Sequence, residues 1–453
     1  MNVRRLLGTC LAVLWVWFSL SPNAEAFCGF YVAKADTTLY NEASQVAIAR
    51  DGNRTVLTMA NDFKGDVKDF AMVVPVPVVL QKDQVHIGDP TILKRLDDFS
   101  APRLVEYFDD NPCQTFRNGL ESRDAAMPTA PQASPRTEKS LGVTVEAEFS
   151  VGEYDIVILS AKESNGLQTW LNRNGYKIPR GARPLLQPYI RQNMKFFVAK
   201  VNLAEFAKSG FQMLRPLQMA FESPKFMLPI RLGMINAKAE QDLMVYLLSP
   251  KGQAELVNYR TANIPTDVEI PEFVKNEFGD FYTTLFETAH AQEGKRIAFR
   301  EYAWDMANCD PCSADPLTPE ELRKAGVFWL TERPQGDFVM PPQSTGVFIT
   351  RLHVRYSRDT FPEDLIFQET SNRQLFQGRY VMRHPYTGEV DCPEGRRYQK
   401  SLSTRFEQEA QTLAKLTGWN IQEIRRKMNL QTPKPGSWWN QLWNFLLLRG
   451  SRG

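Results

Sequence analysis

Apolar and polar residues alternate over Gln45–Arg50 and again over Thr55–Met59, with Asp51-Gly52-Asn53 between them. Two alternating runs around such a turn sequence predict a β-hairpin. Phe70–Leu80 is an apolar run broken by Pro75 and Pro77. Proline cannot donate to a ladder, so this strand is expected to end there or to lie at a sheet edge. Helical spacing follows over Ile92–Phe99. Tyr154–Leu159 predicts a strand, Leu167, Trp170 and Leu171 fall on one helical face, Pro184 opens a second helix carrying Leu185, Tyr189 and Ile190, and Lys195–Val201 returns as a strand. Gln212–Ala220, Lys225–Ile235 and Asp242–Leu248 are expected as further strands, and Phe273–Phe286 as an amphipathic helix on Phe273, Phe278, Phe281 and Leu285. In Thr345–Arg355 the apolar positions are Val347, Ile349, Leu352 and Val354, an alternation with a slip; Gln374–Arg383 gives another strand and Ser401–Lys427 a helix. The mixture predicts an α+β fold of mixed, largely antiparallel sheets with packed helices.

The chain of 453 residues opens with Arg4-Arg5, an uncharged apolar stretch Leu6–Leu20 and Ala24-Glu25-Ala26. This is the layout of a secretory signal peptide over residues 1–26, with the mature chain starting at Phe27 and exported to the periplasm or cell envelope. The remaining organisation is expected as a β-rich region 27–124, a Pro/Ala/Ser-rich loop or linker 125–140, an α+β region 141–298, a second α+β region 299–432 and an aromatic tail 433–453. In the tail, helical spacing groups Trp438, Trp439, Leu442, Trp443 and Leu446. The tail is too short to span a bilayer. It is read either as a peripheral membrane contact or as a helix docked on the protein's own surface. Losing Arg4, Arg5 and Glu25 with the leader reduces 54 basic and 52 acidic residues to 52 and 51. So even a balance gives no electrostatic footprint for nucleic acid.

Removing Cys10 with the leader leaves Cys28, Cys113, Cys309, Cys312 and Cys392. In an exported chain these are disulfide candidates, and an odd number leaves one thiol over. Cys309-Asp310-Pro311-Cys312 is the sharpest motif: two thiols three positions apart, ahead of a helix marked by Thr318 as N-cap, Pro319 at its first position and Glu321 completing a capping box. Structural bonding competes with redox exchange, in which a helix N-terminus stabilises one thiolate of the pair. On the chain-entropy model a Cys-x-x-Cys bond contributes about 2 kcal/mol and a Cys28–Cys113 bond about 4.5, which favours long-range staples. A weaker metal alternative adds His384 and Cys392 to Cys309 and Cys312.

No Gly-x-Ser-x-Gly elbow, phosphate loop, dinucleotide fingerprint or His-Glu-x-x-His occurs. His86, His290, His353 and His384 read as satisfied or exposed histidines. The carboxylate pairs Glu153/Asp155 and Glu363/Asp364 read as solvated strand-end and turn residues, and no cofactor is expected.

Several phrases together carry a family likeness: Cys28-Gly29-Phe30-Tyr31-Val32-Ala33-Lys34-Ala35-Asp36, Phe70–Pro77, Ser223-Pro224-Lys225-Phe226, Leu228–Gly233, the Cys309–Cys312 motif and Phe376-Gln377-Gly378-Arg379-Tyr380. From Cys28 to about Tyr398 the chain resembles the bacterial exported domain-of-unknown-function family twenty-three thirty. The resemblance implies export and an envelope location, and brings no activity, cofactor or catalytic residue. The expectation is a disulfide-stapled, non-enzymatic binding or assembly component with an unidentified envelope protein or ligand as partner. Its rivals are a thiol–disulfide oxidoreductase using Cys309 and Cys312, and a hydrolase whose site is assembled from distant residues.

Overall fold

A computed structural model describes residues 30–34, 40–41, 44–60, 63–64, 70–113, 143–173, 176–177, 182–211, 213–235, 240–308, 310, 314–330 and 346–430. The leader, Cys28, the 125–140 stretch, Asn174-Gly175, Cys309, Cys312 and the aromatic tail lie outside the described residues. Two compact units are present, and each gathers three stretches of chain. One takes residues 1–102, 132–264 and 293–377, the other 103–131, 265–292 and 378–453.

In the larger unit the principal elements are, in order, β1 (Phe30–Lys34), β2 (Ser44–Asp51), β3 (Arg54–Met59), β4 (Phe70–Val76), α1 (Pro90–Ser100), β5 (Val143–Val151), β6 (Tyr154–Ala161), α2 (Ser164–Arg173), α3 (Ala182–Arg191), β7 (Lys195–Val201), β8 (Leu217–Glu222), β9 (Gln241–Ser249), β10 (Ile297–Asp305), α4 (Pro319–Lys324) and β11 (Phe348–Tyr356). β2 and β3 are the hairpin that the alternation predicts, turning at Gly52 with φ +58°. One sheet runs Arg260–Asn263, β10, β11, β9, β2, β3, β8, Val85–Ile87. The other runs Tyr176–Lys177, β1, β4, β7, β6, β5 and is antiparallel throughout.

The two sheets enclose one core. Val46, Ile48, Leu57, Leu243, Val245, Leu247, Leu352 and Val354 meet Met72, Val74, Ile156, Ile158, Phe197 and Ala199. Each buried aliphatic side chain of this kind contributes about 1.5–3 kcal/mol by leaving water, so this seam is the main cohesive element. The outer face of the first sheet is covered by α1 through Ile92, Leu93, Leu96 and Phe99, and that of the second by α2 and α3 through Leu167, Leu171, Leu186 and Tyr189. The unit therefore has four layers, helix–sheet–sheet–helix.

β4 follows the proline argument at its end. β1 pairs with Phe70–Val73 only, β7 continues along the other side as far as Val76, and the strand stops before Pro77. Pro75 thus lies where one side of the strand is unpaired. The slip in 345–355 has a different cause from a break in pairing. β11 stays in register with β9 along its whole length. Val347 and Ile349 pack under α1 on the outer face, whereas Leu352 and Val354 point into the sandwich. Lys225–Ile235 departs from expectation, with only Met227–Leu228 as strand before a 3-10 turn at Gly233–Ile235. Pro229 has no N–H to give, and the next two backbone N–H groups donate to the Asp364 carboxylate at 3.0 and 3.2 Å instead of to a strand.

In the smaller unit Val268–Glu269, Arg379–His384 and Arg103–Phe108 form a three-stranded parallel sheet. The helix Phe278–Gln292 packs there with Phe281 edge-on to Tyr380 at 4.9 Å. The expected helix over 401–427 is two, Pro393–Thr417 and Ile421–Lys427, separated by Gly418 at φ +72°.

Candidate functional site

β9 and β11 carry a polar ladder on the face beneath α1. Asp242, Met244 and Tyr246 stand opposite Arg355, His353 and Arg351. Glu301 joins them because β10 bulges there: Arg300 pairs with Leu352, Tyr302 with Arg351, and Glu301 is the extra residue between. His353 Nδ1 lies 2.8 Å from Glu301 Oε1 and Nε2 lies 3.0 Å from Asp242 Oδ1. Two carboxylate acceptors require both ring nitrogens to donate, so the ring is an imidazolium. Arg351 donates to Glu301 and to Asp97 of α1, each at 2.6 Å, and Tyr246 Oη donates to Asp97 at 2.8 Å. Arg355 holds both oxygens of Asp242 at 2.8 Å.

Three cations thus meet three carboxylates, with Glu301 fully buried and His353 5% exposed. Burial by itself would lower the His353 pKa; Glu301 and Asp242 outweigh it and raise it. Burial would raise Asp242, but His353 and Arg355 hold it well below the usual carboxylate range. A general base needs a lone pair within reach of substrate, and His353 has none to offer. This ladder clamps α1 and three strands.

The carboxylates expected in solvent divide. Glu363 is exposed, but Asp364 is buried, accepting from Tyr189 Oη at 2.5 Å, and burial raises its pKa. Glu153 is fully buried and receives Arg215 Nη2 at 2.6 Å and Nε at 3.1 Å. A bidentate arginine compensates the lost hydration, which the local sequence does not disclose.

Between Cys309 and Cys312, Asp310 is described. It is 3% exposed and accepts from Tyr302 Oη at 3.0 Å and Gln377 Nε2 at 2.6 Å. The helix after the motif, α4, has the expected capping box, Glu321 Oε2 accepting from Thr318 N at 2.8 Å and Thr318 Oγ1 from Glu321 N at 3.2 Å. Arg95 and that backbone bond hold the Glu321 carboxyl down to about 2.

In the smaller unit Cys113 and Cys392 form a disulfide across 279 positions, their Cα atoms 5.9 Å apart. Cys392 also caps the helix Pro393–Thr417. His384 gives one nitrogen to Glu272 at 3.0 Å and the other to Glu106 at 2.9 Å, with its ring stacked on Phe108 at 4.5 Å. Both residues of the C-terminal half of the proposed metal set are therefore engaged otherwise: the Cys392 sulfur is bonded to Cys113, and neither His384 nitrogen is open. Nearby, burial and the charges of Glu269, Glu272 and Asp109 overcome Arg405 and lift Glu409 to about 7.

An open concavity lies elsewhere, on the outer face of the six-stranded sheet beside α2. It measures about 600 Å³ and is lined by Val145, Glu148, Phe149, Ser150, Asp155, Val157, Trp170, Val198 and Lys200. Strand register makes a grid of this wall: Ser150, Asp155 and Lys200 form one row, and Glu148, Val157 and Val198 the next. A bulge between Ile158 and Leu159 passes over Glu146 and brings Val145 to the same face. Ser150 Oγ donates to Asp155 at 2.6 Å. Sequence reading missed both places. The signals were there as charged positions inside strands otherwise apolar, Arg351-x-His353-x-Arg355 in one sheet and Asp155 with Lys200 in the other.

A family model described as an uncharacterized protein conserved in bacteria (DUF2330) matches residues 22–368. The chain belongs to the DUF2330 family. The match runs through both sheets and the Cys309–Cys312 motif and stops before Phe376–Tyr380. No curated protein matches the chain, and no solved structure matches it. For this DUF2330 protein the chemistry must be argued from its own residues.

Proposed function

We propose that the protein is an exported component of the bacterial envelope that binds a ligand without transforming it, stapled by disulfides. The observation carrying this is the separation of the two places just described. The imidazolium, guanidinium and carboxylate groups of the His353 ladder are paired with one another under α1, while the solvent-open cavity beside Trp170 offers an indole, valines and a few polar side-chain ends. That is the make-up of a recognition site: an apolar wall with a few placed polar groups. The Cys113–Cys392 bond fits an oxidising compartment, and among the described residues no helix is long and apolar enough to cross a membrane.

The reading is tested against its redox rival. The full-length gene is expressed in a bacterium, and spheroplasts are treated with protease to establish export. A Cys312→Ser variant is then acid-quenched to trap mixed disulfides on Cys309. Protease-accessible protein with no captured partner is the expected result. Discrete covalent partners on Cys309, or protein shielded inside the spheroplast, would overturn it.

A further inference from the structure

We propose that the cavity beside Trp170 takes a short peptide with free termini, two or three residues long, lying extended across β5, β6 and β7. This deepens the binding reading above and rests on it.

The cavity wall is a two-by-three grid with unlike charges at opposite corners. Glu148 ends one row on β5, and Lys200 ends the other on β7, two strands away and two residues along. Among the described residues neither has an ion-pair partner, whereas Asp155 between them is held by Ser150. At strand spacings of about 4.8 Å and rises of about 3.4 Å, the two Cα atoms are roughly 12 Å apart. Flexible Glu and Lys side chains leaning inward shorten the gap between the charged heads to several ångströms less. The termini of one amino acid are too close together to meet both heads. Two or three extended residues, at about 3.3–3.6 Å each, reach between them. The α-ammonium then faces Glu148 and the α-carboxylate faces Lys200, each a charge-assisted hydrogen bond.

The floor between the corners selects what lies above it. Val157, Val198 and Val145 are apolar, and Trp170 stands over them from α2. Apolar peptide side chains gain burial there, and the roughly 600 Å³ available suits a ligand of this size. A neutral sugar could stack on Trp170, but it would bring no charge of its own to the separated Glu148 and Lys200 heads, which no ion pair among the described residues joins to a partner. Charge complementarity therefore favours the zwitterion.

The test is isothermal titration of the mature, oxidised protein with Ala-Leu-Ala carrying free termini, and with its N-acetylated and C-amidated forms. Free Ala-Leu-Ala is expected to bind, with each blocked form at least tenfold weaker. Glu148→Gln should weaken the free peptide tenfold and leave the acetylated peptide unchanged; Lys200→Gln should do the same with respect to the amidated peptide. Both residues are exposed, so thermal melts are expected to coincide with the parent. Equal binding of blocked and free peptides, insensitivity to both substitutions, or no binding of the free peptide would overturn the proposal. Chitotriose, titrated as a neutral probe, separates the two levels of inference. If it binds and Trp170→Ala abolishes that binding, the peptide is wrong while the binding reading survives. The trapping of partners on Cys309 decides the binding reading independently.

Discussion

His353 is a histidine whose two nitrogens are both occupied by buried carboxylates, which makes its charge a structural requirement. Removing one member of a buried ionic set leaves the rest uncompensated, at a cost of roughly 3–5 kcal/mol. His353→Gln is therefore expected to destabilise the larger unit by about that amount at pH 6. The pH dependence has a definite sign. A histidine whose folded pKa is raised contributes stability that is complete below its unfolded value of about 6.5 and disappears as pH climbs through the folded value. Urea melts of the parent should show that loss toward alkaline pH, and the variant should lack it. Parallel pH profiles would exclude His353 as the source. The same logic explains why Glu153 and Asp364 were misplaced by sequence reading. Their partners, Arg215 and Tyr189, are 62 and 175 positions away, far outside any local window.

At the scale of elements, patterns of two and of 3.6 residues were readable wherever one face is buried. The hairpin at Asp51–Arg54, the capped α4 and the strand Lys195–Val201 follow from neighbours alone. β11 is buried on both faces, so its period was blurred, and the charged ladder looked like an irregular strand. The break at Gly418 had its own local mark, a glycine two positions before Asn420, which caps the next helix by accepting from Gln422 N at 2.8 Å. Because Gly418 sits at φ +72°, Gly418→Ala is expected to cost about 1 kcal/mol by forcing a side chain into left-handed backbone. Equilibrium denaturation would measure it. An unchanged or higher midpoint would show that the helix end shifts without penalty.

The whole molecule is organised by contacts that close over very long stretches of chain. The smaller unit draws its strands from residues 103–108, 268–269 and 379–384, so it cannot form until the chain between them is in place. Its disulfide restrains a separation of 279 residues. On chain-entropy grounds such a bond contributes about 5.5 kcal/mol, and measured losses for native bonds are roughly 2–5. Cys113→Ala with Cys392→Ala should therefore lower the smaller unit's stability by about that range and expose Pro393–Thr417 to limited proteolysis. Cleavage kinetics identical to the parent would contradict the staple.

What the sequence by itself determined was local and compositional: the hydrophobic periods, the caps and turns, the leader-like opening and the phrases that mark the DUF2330 family. Each depends on residues a few positions apart, where steric preference and hydrogen bonding act directly. Tertiary structure alone decided which cysteine meets Cys392, which carboxylates surround His353, and how Glu148, Trp170 and Lys200 come to line one cavity. Strand pairing is selected by burying complementary faces across hundreds of residues, and no short stretch of chain carries that information.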